Sequence, residues 1–314
     1  MKIKRFYILT FAAIFLVMTV APLPLLGMNE RVNTPIPSDT VFLVYDTKSG
    51  KIEAVEEFDY IVGVLAGEMS PDTPKEALKA QAVAAYTYAI YKRNIRIEKG
   101  NDYDLTSDHS KDQQYLSKTE QVALWQENYQ KNRKILEDAV REVEGTVITF
   151  SGRAILSVYH SVSSGKTEAA EDVWNTPYPY LQAVESTGDL LAPDYTSEVI
   201  YTSLDFADKA LDLGITLVGE PDSWLSSPER SASGGVIKYT LANHEVSGTD
   251  MRSAFGLNST NFQLEYLNER FVFTVKGHGH GIGMSQFGAV YMAKQGSSFE
   301  QILEHYYPGT VIVK

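Results

Sequence analysis

The stretch from Gly67 to Arg93, GEMSPDTPKEALKAQAVAAYTYAIYKR, restricts the fold more than any other part of the chain. Beyond Pro74, apolar residues recur on every side of a 3.6-residue helix. Leu78, Ala82, Ala85 and Ala89 form one stripe, Val83 and Ile90 a second, and Ala77, Ala84 and Tyr88 a third. A helix apolar all round is either a membrane span or the centre of a core. Lys75, Glu76, Lys79 and Gln81 in its first two turns argue for the core. Thr73 is expected to cap it, with Pro74 at the first helical position and Glu76 closing a T-x-x-E capping box. One carboxylate, Glu68, stands just before this helix.

The preceding residues, Glu57 to Gly67, also read as helical, with Phe58, Ile61 and Leu65 on one side, and that spacing continues onto Glu68. A carboxyl carried into apolar surroundings has its pKa raised by desolvation. An ordinary Glu is only about 0.2% protonated at pH 7, whereas a pKa near 6 gives about 10%, enough for a general acid. A simple surface or capping contact is the competing role for Glu68.

Lys2, Lys4 and Arg5 precede an uncharged apolar run from Phe6 to Leu26. As helix that run covers roughly 30 Å, the thickness of a bilayer core. Residues 1–28 are therefore expected to be a cytoplasmic basic flank and a single membrane anchor, with a cleaved signal peptide as the alternative. Residues 29–40 read as a polar, Pro-containing linker, and 41–314 as one extracytoplasmic domain. The whole chain carries a net charge of −12, and beyond the three basic residues of the flank 25 Lys and Arg face 40 Asp and Glu. With no basic footprint, nucleic acid is not an expected partner. The absence of cysteine rules out disulfides and thiolate metal sites.

Val41–Tyr45 and Lys51–Val55 alternate as a hairpin, and the polar segment Gly100–Gln114 is a long loop of the kind that carries function. Ser117–Tyr129 and Arg133–Val143 read as helices. Thr146–Phe150 and Ala154–His160 read as a hairpin leading to the small-residue loop Ser161–Gly165. Strands are expected at Val236–Leu241, Phe262–Leu267 and Phe271–Lys276, and helices at Leu204–Leu211, Ser285–Lys294 and from Ser298 to His305. A closing strand is expected at Val311–Val313. Hairpins with separate helices predict an α+β fold, antiparallel hairpins packed around the buried helix. Residues 186–235 give little pattern.

Besides Glu68, two constellations could carry chemistry. GHGHGIG at 277–283 places His278 and His280 two apart, so on an extended segment they would face the same way and could bind a metal with His305. Tyr159-His160-Ser161 opens into Ser163-Ser164-Gly165, but without G-x-S-x-G a serine nucleophile is disfavoured and sugar-binding polar groups fit better. Trp174, Tyr178 and Tyr180 could stack on sugars or pack at the edge of the core.

Several blocks stand in a definite order: GEM with PKEALKAQAVAAYTYA, YHSVSSG with TEAAEDVW and PYLQAVES, and GHGIGMSQFGAVYMAKQG with ILEHYYPGT. Together, over residues 41–314, they resemble the stage II sporulation protein D family, which overlaps the domain also described as an amidase enhancer. The resemblance implies a peptidoglycan lytic transglycosylase that cuts the MurNAc–GlcNAc bond to 1,6-anhydro-muramic ends during forespore engulfment, from the mother-cell engulfing membrane. It places the catalytic acid/base on Glu68 and glycan-binding roles on Lys79, Gln81, His160, Ser163, His280, Ser285 and Gln286. It also implies glycan strands as substrate, with the amidase/endopeptidase stage II sporulation protein P and the membrane protein stage II sporulation protein M as partners. A non-catalytic enhancer of a cell-wall amidase is the alternative.

Three departures from the family pattern stand out. Tyr86 occupies a position where many members have Arg, and Ser163-Ser164-Gly165 replaces S-G-G. Some members hold zinc with cysteines in the loop after the helix. Thr106 and Asp112 take those places here, leaving His109 without thiolates, so no metal and no cofactor are expected.

Overall fold

The structure, a computed structural model, describes residues 40–314. The expected flank and anchor at 1–28 and all but the last residue of the linker lie outside the described residues. Among the described residues, no helix is long and apolar enough to cross a membrane.

Strands β1 (Val41–Asp46) and β2 (Lys51–Glu56) form the expected hairpin, with Val41 opposite Glu56 and Asp46 opposite Lys51. Helix α1 (Glu57–Glu68) follows at once, buries Tyr60 to Ala66, and ends where Met69 turns extended. Helix α2 (Lys75–Lys99) is the buried spine. Ala77, Leu78, Ala80 and Ala82 to Ala85 are at most 2% exposed, as the all-round apolar pattern requires. Its start differs from expectation. Pro74 is itself the cap, in an extended conformation and with no side-chain capping bond. Glu76 does not reach back to Thr73; its carboxylate accepts from the Phe299 N–H at 2.8 Å and from Lys79 Nζ at 2.8 Å. A long-range contact has replaced the local box. The helix stops at Gly100, which takes the left-handed conformation (φ 69°) that glycine adopts without steric cost.

After β3 (Leu105–Thr106), the two expected helices appear as α3 (Lys118–Trp125) and α4 (Tyr129–Glu142), with the first ending earlier and the second starting earlier than expected. The break falls at Gln126, whose positive φ of 48° cannot continue an α-helix. Next come β4 (Val147–Phe150), β5 (Tyr159–His160), α5 (Ala170–Trp174), β6 (Thr196–Thr202), α6 (Ser203–Asp212), β7 (Val236–Leu241), β8 (His244–Ser247) and α7 (Gly248–Ala254). The chain closes with β9 (Phe262–Leu267), β10 (Arg270–Lys276), β11 (Met284–Ser285), α8 (Gln286–Lys294), α9 (Phe299–Tyr306) and β12 (Val311–Val313). The fold is α+β, but not wholly antiparallel: β3 pairs parallel to β1, and β11 parallel to β5. Within the expected Ala154–His160 strand, Ala154 lies in a short strand beside β4 and Tyr159 and His160 pair with β11, while the residues between them are irregular.

Two hydrophobic cores result. The first surrounds α1 and α2 and takes in Ile282, Met284, Ile302 and Leu303 from the C-terminal elements. The second holds Phe206, Trp224, Phe255, Phe271 and Phe273 between the β9–β10–β6 sheet and the β7–β8 strands. Its rings stack closely, Phe206 on Phe271 at 3.9 Å. The poorly patterned 186–235 stretch thus supplies β6, which runs antiparallel to the whole of β10, together with α6 and Trp224 of the second core.

Candidate active site

Glu68 is the last residue of α1, at the negative end of the helix dipole, where a carboxylate is disfavoured as the anion. It lines a cleft of about 410 Å³ with Tyr88, His109, Asp112, Gln113, Tyr159, Trp174 and His280, among others. Oε1 accepts from the Gln114 N–H at 2.9 Å, and Oε2 from Gln286 Nε2 at 2.9 Å. Burial raises its pKa above the ordinary 4.5; hydrogen bonds from Gln114, Gln286 and Tyr159 act against this without cancelling it.

The loop after α2 reaches Glu68 because α1 offers it glycines. A Cβ on Gly67 would lie 2.4 Å from the Gln114 carbonyl oxygen, and one on Gly63 2.4 Å from the Tyr115 ring. The Leu116 N–H completes the docking by donating to the Gly63 carbonyl at 3.1 Å. Behind the cleft, Asp112 is fully engaged. It accepts from Tyr88 Oη at 2.8 Å, from the Thr106 N–H at 2.9 Å and from Lys92 Nζ at 2.7 Å. The two positions that stood for cysteines are therefore joined by a hydrogen bond. Among the described residues no three His, Asp or Glu side chains gather closely enough to hold a metal ion. His305 is turned to the Glu185 carbonyl, 2.7 Å away.

The glycine-rich loop is not extended. Gly277, Gly279, Gly281 and Gly283 all have positive φ, so His278 and His280 do not share a face as an alternating strand would arrange. His280 enters the cleft, with its ring 5.8 Å from Trp174 and 5.7 Å from His160. Its Nδ1 accepts from the Ile282 N–H at 3.1 Å. His160 lies behind it, 4% exposed, with Nδ1 against the Ile282 carbonyl at 3.1 Å. Burial pushes His160 down to about 3 and His280 down to about 4, so both rings are neutral at physiological pH.

Known proteins are similar to this chain over most of its length. A family model described as Stage II sporulation protein (SpoIID) matches residues 45–150. Stage II sporulation protein D of Bacillus subtilis (strain 168) is 35% identical over 274 residues, covering 86% of this chain and 78% of that protein. The chain belongs to the stage II sporulation protein D family. Stage II sporulation protein D of Bacillus amyloliquefaciens is 34% identical over 273 residues, 86% of this chain and 77% of that one. The Amidase enhancer of Bacillus subtilis (strain 168) is 28% identical over 308 residues, 80% of this chain but 40% of its own length.

The family resemblance and the geometry do not put the same residues in the cleft. Gln286 binds Glu68 directly, and His280 lines the cleft. Ser163 and Ser285 face elsewhere: the Ser163 N–H donates to Asp189 Oδ2 and the Ser285 hydroxyl to Asp189 Oδ1, both at 2.8 Å. Ser285 also caps α8 through the Gly288 N–H at 3.1 Å. Lys79 pairs with Glu76 and lies 4.6 Å above the Phe299 ring, on the α9 side of the spine. Gln81 is fully buried with neither amide atom bonded. Tyr86 is also outside the cleft, donating to Glu57 Oε2 at 2.9 Å near the start of α1. Tyr180 packs on Phe150 with its ring 7% exposed, whereas Trp174 is a cleft wall. Sequence reasoning missed Tyr159 as a cleft group. It also missed His109, Gln113 and Gln114, whose only signal was their place in a long polar loop.

Proposed function

We propose that this protein is a peptidoglycan lytic transglycosylase acting during sporulation, with Glu68 as its single acid/base. The observation carrying this is a cleft in which one carboxyl, Glu68, is hydrogen-bonded by neutral donors and, among the described residues, is not paired with a Lys or Arg. Hydrolytic glycosidases use two carboxyl groups, one to protonate the leaving oxygen and one to activate water or attack carbon. The other carboxylate lining this cleft, Asp112, is held by Lys92, Tyr88 and the Thr106 N–H. A transglycosylase needs no second carboxylate, because its nucleophile is the C6 hydroxyl of the muramic sugar itself, already tethered near C1.

On this reading the neutral Glu68 carboxyl donates its proton to the glycosidic oxygen as the C1–O bond breaks. The resulting carboxylate then takes the proton of the C6 hydroxyl as its oxygen bonds to C1. The products are a 1,6-anhydro-muramic end and a GlcNAc with a free 4-hydroxyl, with no water consumed. The raised pKa of Glu68 supplies the acid form, and the donors Gln286 and Gln114 are set to hold the carboxylate produced in mid-reaction. Trp174 and neutral His280 offer a ring surface and hydrogen-bonding edges to the sugar. The membrane location and the stage II sporulation protein P and M partners expected from the resemblance belong to the same proposal.

The test is mass spectrometry of purified glycan strands treated with wild-type and Glu68→Gln protein. Anhydro-muramic ends from the wild type alone are expected; equal yields from both would overturn the assignment. The relative named Amidase enhancer favours a second reading, a non-catalytic stimulator of an amidase. That reading requires that purified wild-type protein release nothing from glycan until an amidase is added.

A further inference from the structure

Trp174 lines both the Glu68 cleft and a second cavity, of about 280 Å³. The wall of this second cavity includes Glu168 and Asp172, beside Val173 and Trp174 that pack against the first core, and Thr249, Asp250 and Thr260, beside Val236 of the second core. Lys, Arg and His are absent from the lining. Glu168 is 4% exposed, and its Oε1 accepts from the Gly235 N–H at 3.0 Å. Its Oε2 is buried and accepts no hydrogen bond of normal geometry, the Ser231 hydroxyl of the lining being the donor nearest to serving the carboxylate. The fold makes room for this side chain on two sides. A Cβ at Gly235 would stand 2.5 Å from Glu168 Oε1, and one at Gly281 would stand 2.8 Å from its Cγ. The Glu168 N–H is fixed on the Gly281 carbonyl at 2.7 Å. A buried polar atom left unmatched in so closely fitted a setting marks a place that a ligand group completes.

The lining restricts what that ligand can be. Three carboxyl groups with no counter-cation exclude an anion, including a muramic sugar with its lactyl carboxylate. A bare metal ion is not served either, since no three acidic or imidazole groups converge among the described residues. Acceptor oxygens, threonine hydroxyls and the edge of an indole ring suit a neutral sugar bearing hydroxyl and N-acetyl N–H donors. The volume is just under the usual range of roughly 300–1,000 Å³ for ligand pockets, a size for one sugar rather than several. We propose that this cavity is a second sugar subsite, taking an uncharged N-acetylglucosamine residue of the same strand that is cut at Glu68. It rests on the glycan-cleaving reading, and it gives the second core a function as the far wall of the substrate path.

The experiment is calorimetric titration of the full chain carrying Glu68→Gln with the dimer and the hexamer of β-1,4-linked N-acetylglucosamine. The hexamer is expected to bind roughly tenfold more tightly, the scale of one added subsite with one or two hydrogen bonds. Adding Glu168→Gln or, on a half-exposed position that tolerates change, Asp172→Arg should remove that gain and leave dimer affinity unchanged. Equal affinity for the two oligomers, or a gain surviving both substitutions, overturns the subsite. Strand cleavage by the wild type is scored separately. A cleaving protein without the length effect loses only the subsite, and a non-cleaving one that retains it loses only the transglycosylase reading.

Discussion

Gln286 Nε2 donates to Glu68 Oε2 at 2.9 Å across 218 positions of sequence, so the first turn of α8 holds the last residue of α1. Because this bond favours the carboxylate, Gln286→Leu should raise the Glu68 pKa further. The alkaline limb of the pH–rate profile should move up, while kcat falls about tenfold through loss of orientation. An unmoved limb would mean that Gln286 does not act through Glu68.

Glu68 also makes stability depend on pH. Its folded pKa lies above its ordinary 4.5, so the folded protein holds a proton that the unfolded chain releases between those two values. Stability is therefore lost as pH rises through that window. Glu68→Gln removes the effect and should raise the Tm at pH 7. The gain should vanish below pH 4, where the wild-type carboxyl is neutral in both states. Thermal melts of both proteins at pH 4 and pH 7 measure it.

The loop that completes the cleft sits on two bare helix positions. At Gly67, a methyl group would meet the Gln114 carbonyl oxygen at 2.4 Å, a backbone atom with no rotamer to change. Gly67→Ala should therefore push Gln114 from Glu68, lowering activity at least about tenfold at a stability cost of about 1–3 kcal/mol. Retained activity in a folded Gly67→Ala protein would show that the Gln114 bond is dispensable.

Periodicity made much of this legible: the buried spine, the position of Glu68 at a helix end, and the spans of α8 and α9. It could not show which way polar residues turn. Ser163 and Ser285 look like ligand groups beside glycine-rich loops, yet both face Asp189, which lies in a stretch with no pattern of its own. The family resemblance gives Lys79 to the sugar, but its position on α2 places it against Phe299 of α9. The β6 strand escaped notice because its partner β10 arrives some seventy residues later. Contacts this distant leave no trace in local spacing.

Tyr86 marks the clearest difference between family pattern and position in the fold. Standing where many family members have Arg, it donates to Glu57 Oε2 at 2.9 Å, while Arg93 Nη1 holds Oε1 of the same carboxylate at 2.7 Å. Arg93 is 1% exposed and stacks on Phe42, so this cluster ties α1 to α2 and β1 rather than to a ligand. Losing the tyrosine hydroxyl leaves Glu57 with its arginine, so the cost should be that of one hydrogen bond to a charged group, about 1.5 kcal/mol. Tyr86→Phe should accordingly lower the urea midpoint while kcat and KM on glycan strands stay within about twofold of wild type. A fall in kcat at unchanged stability would show that Tyr86 acts on the substrate instead.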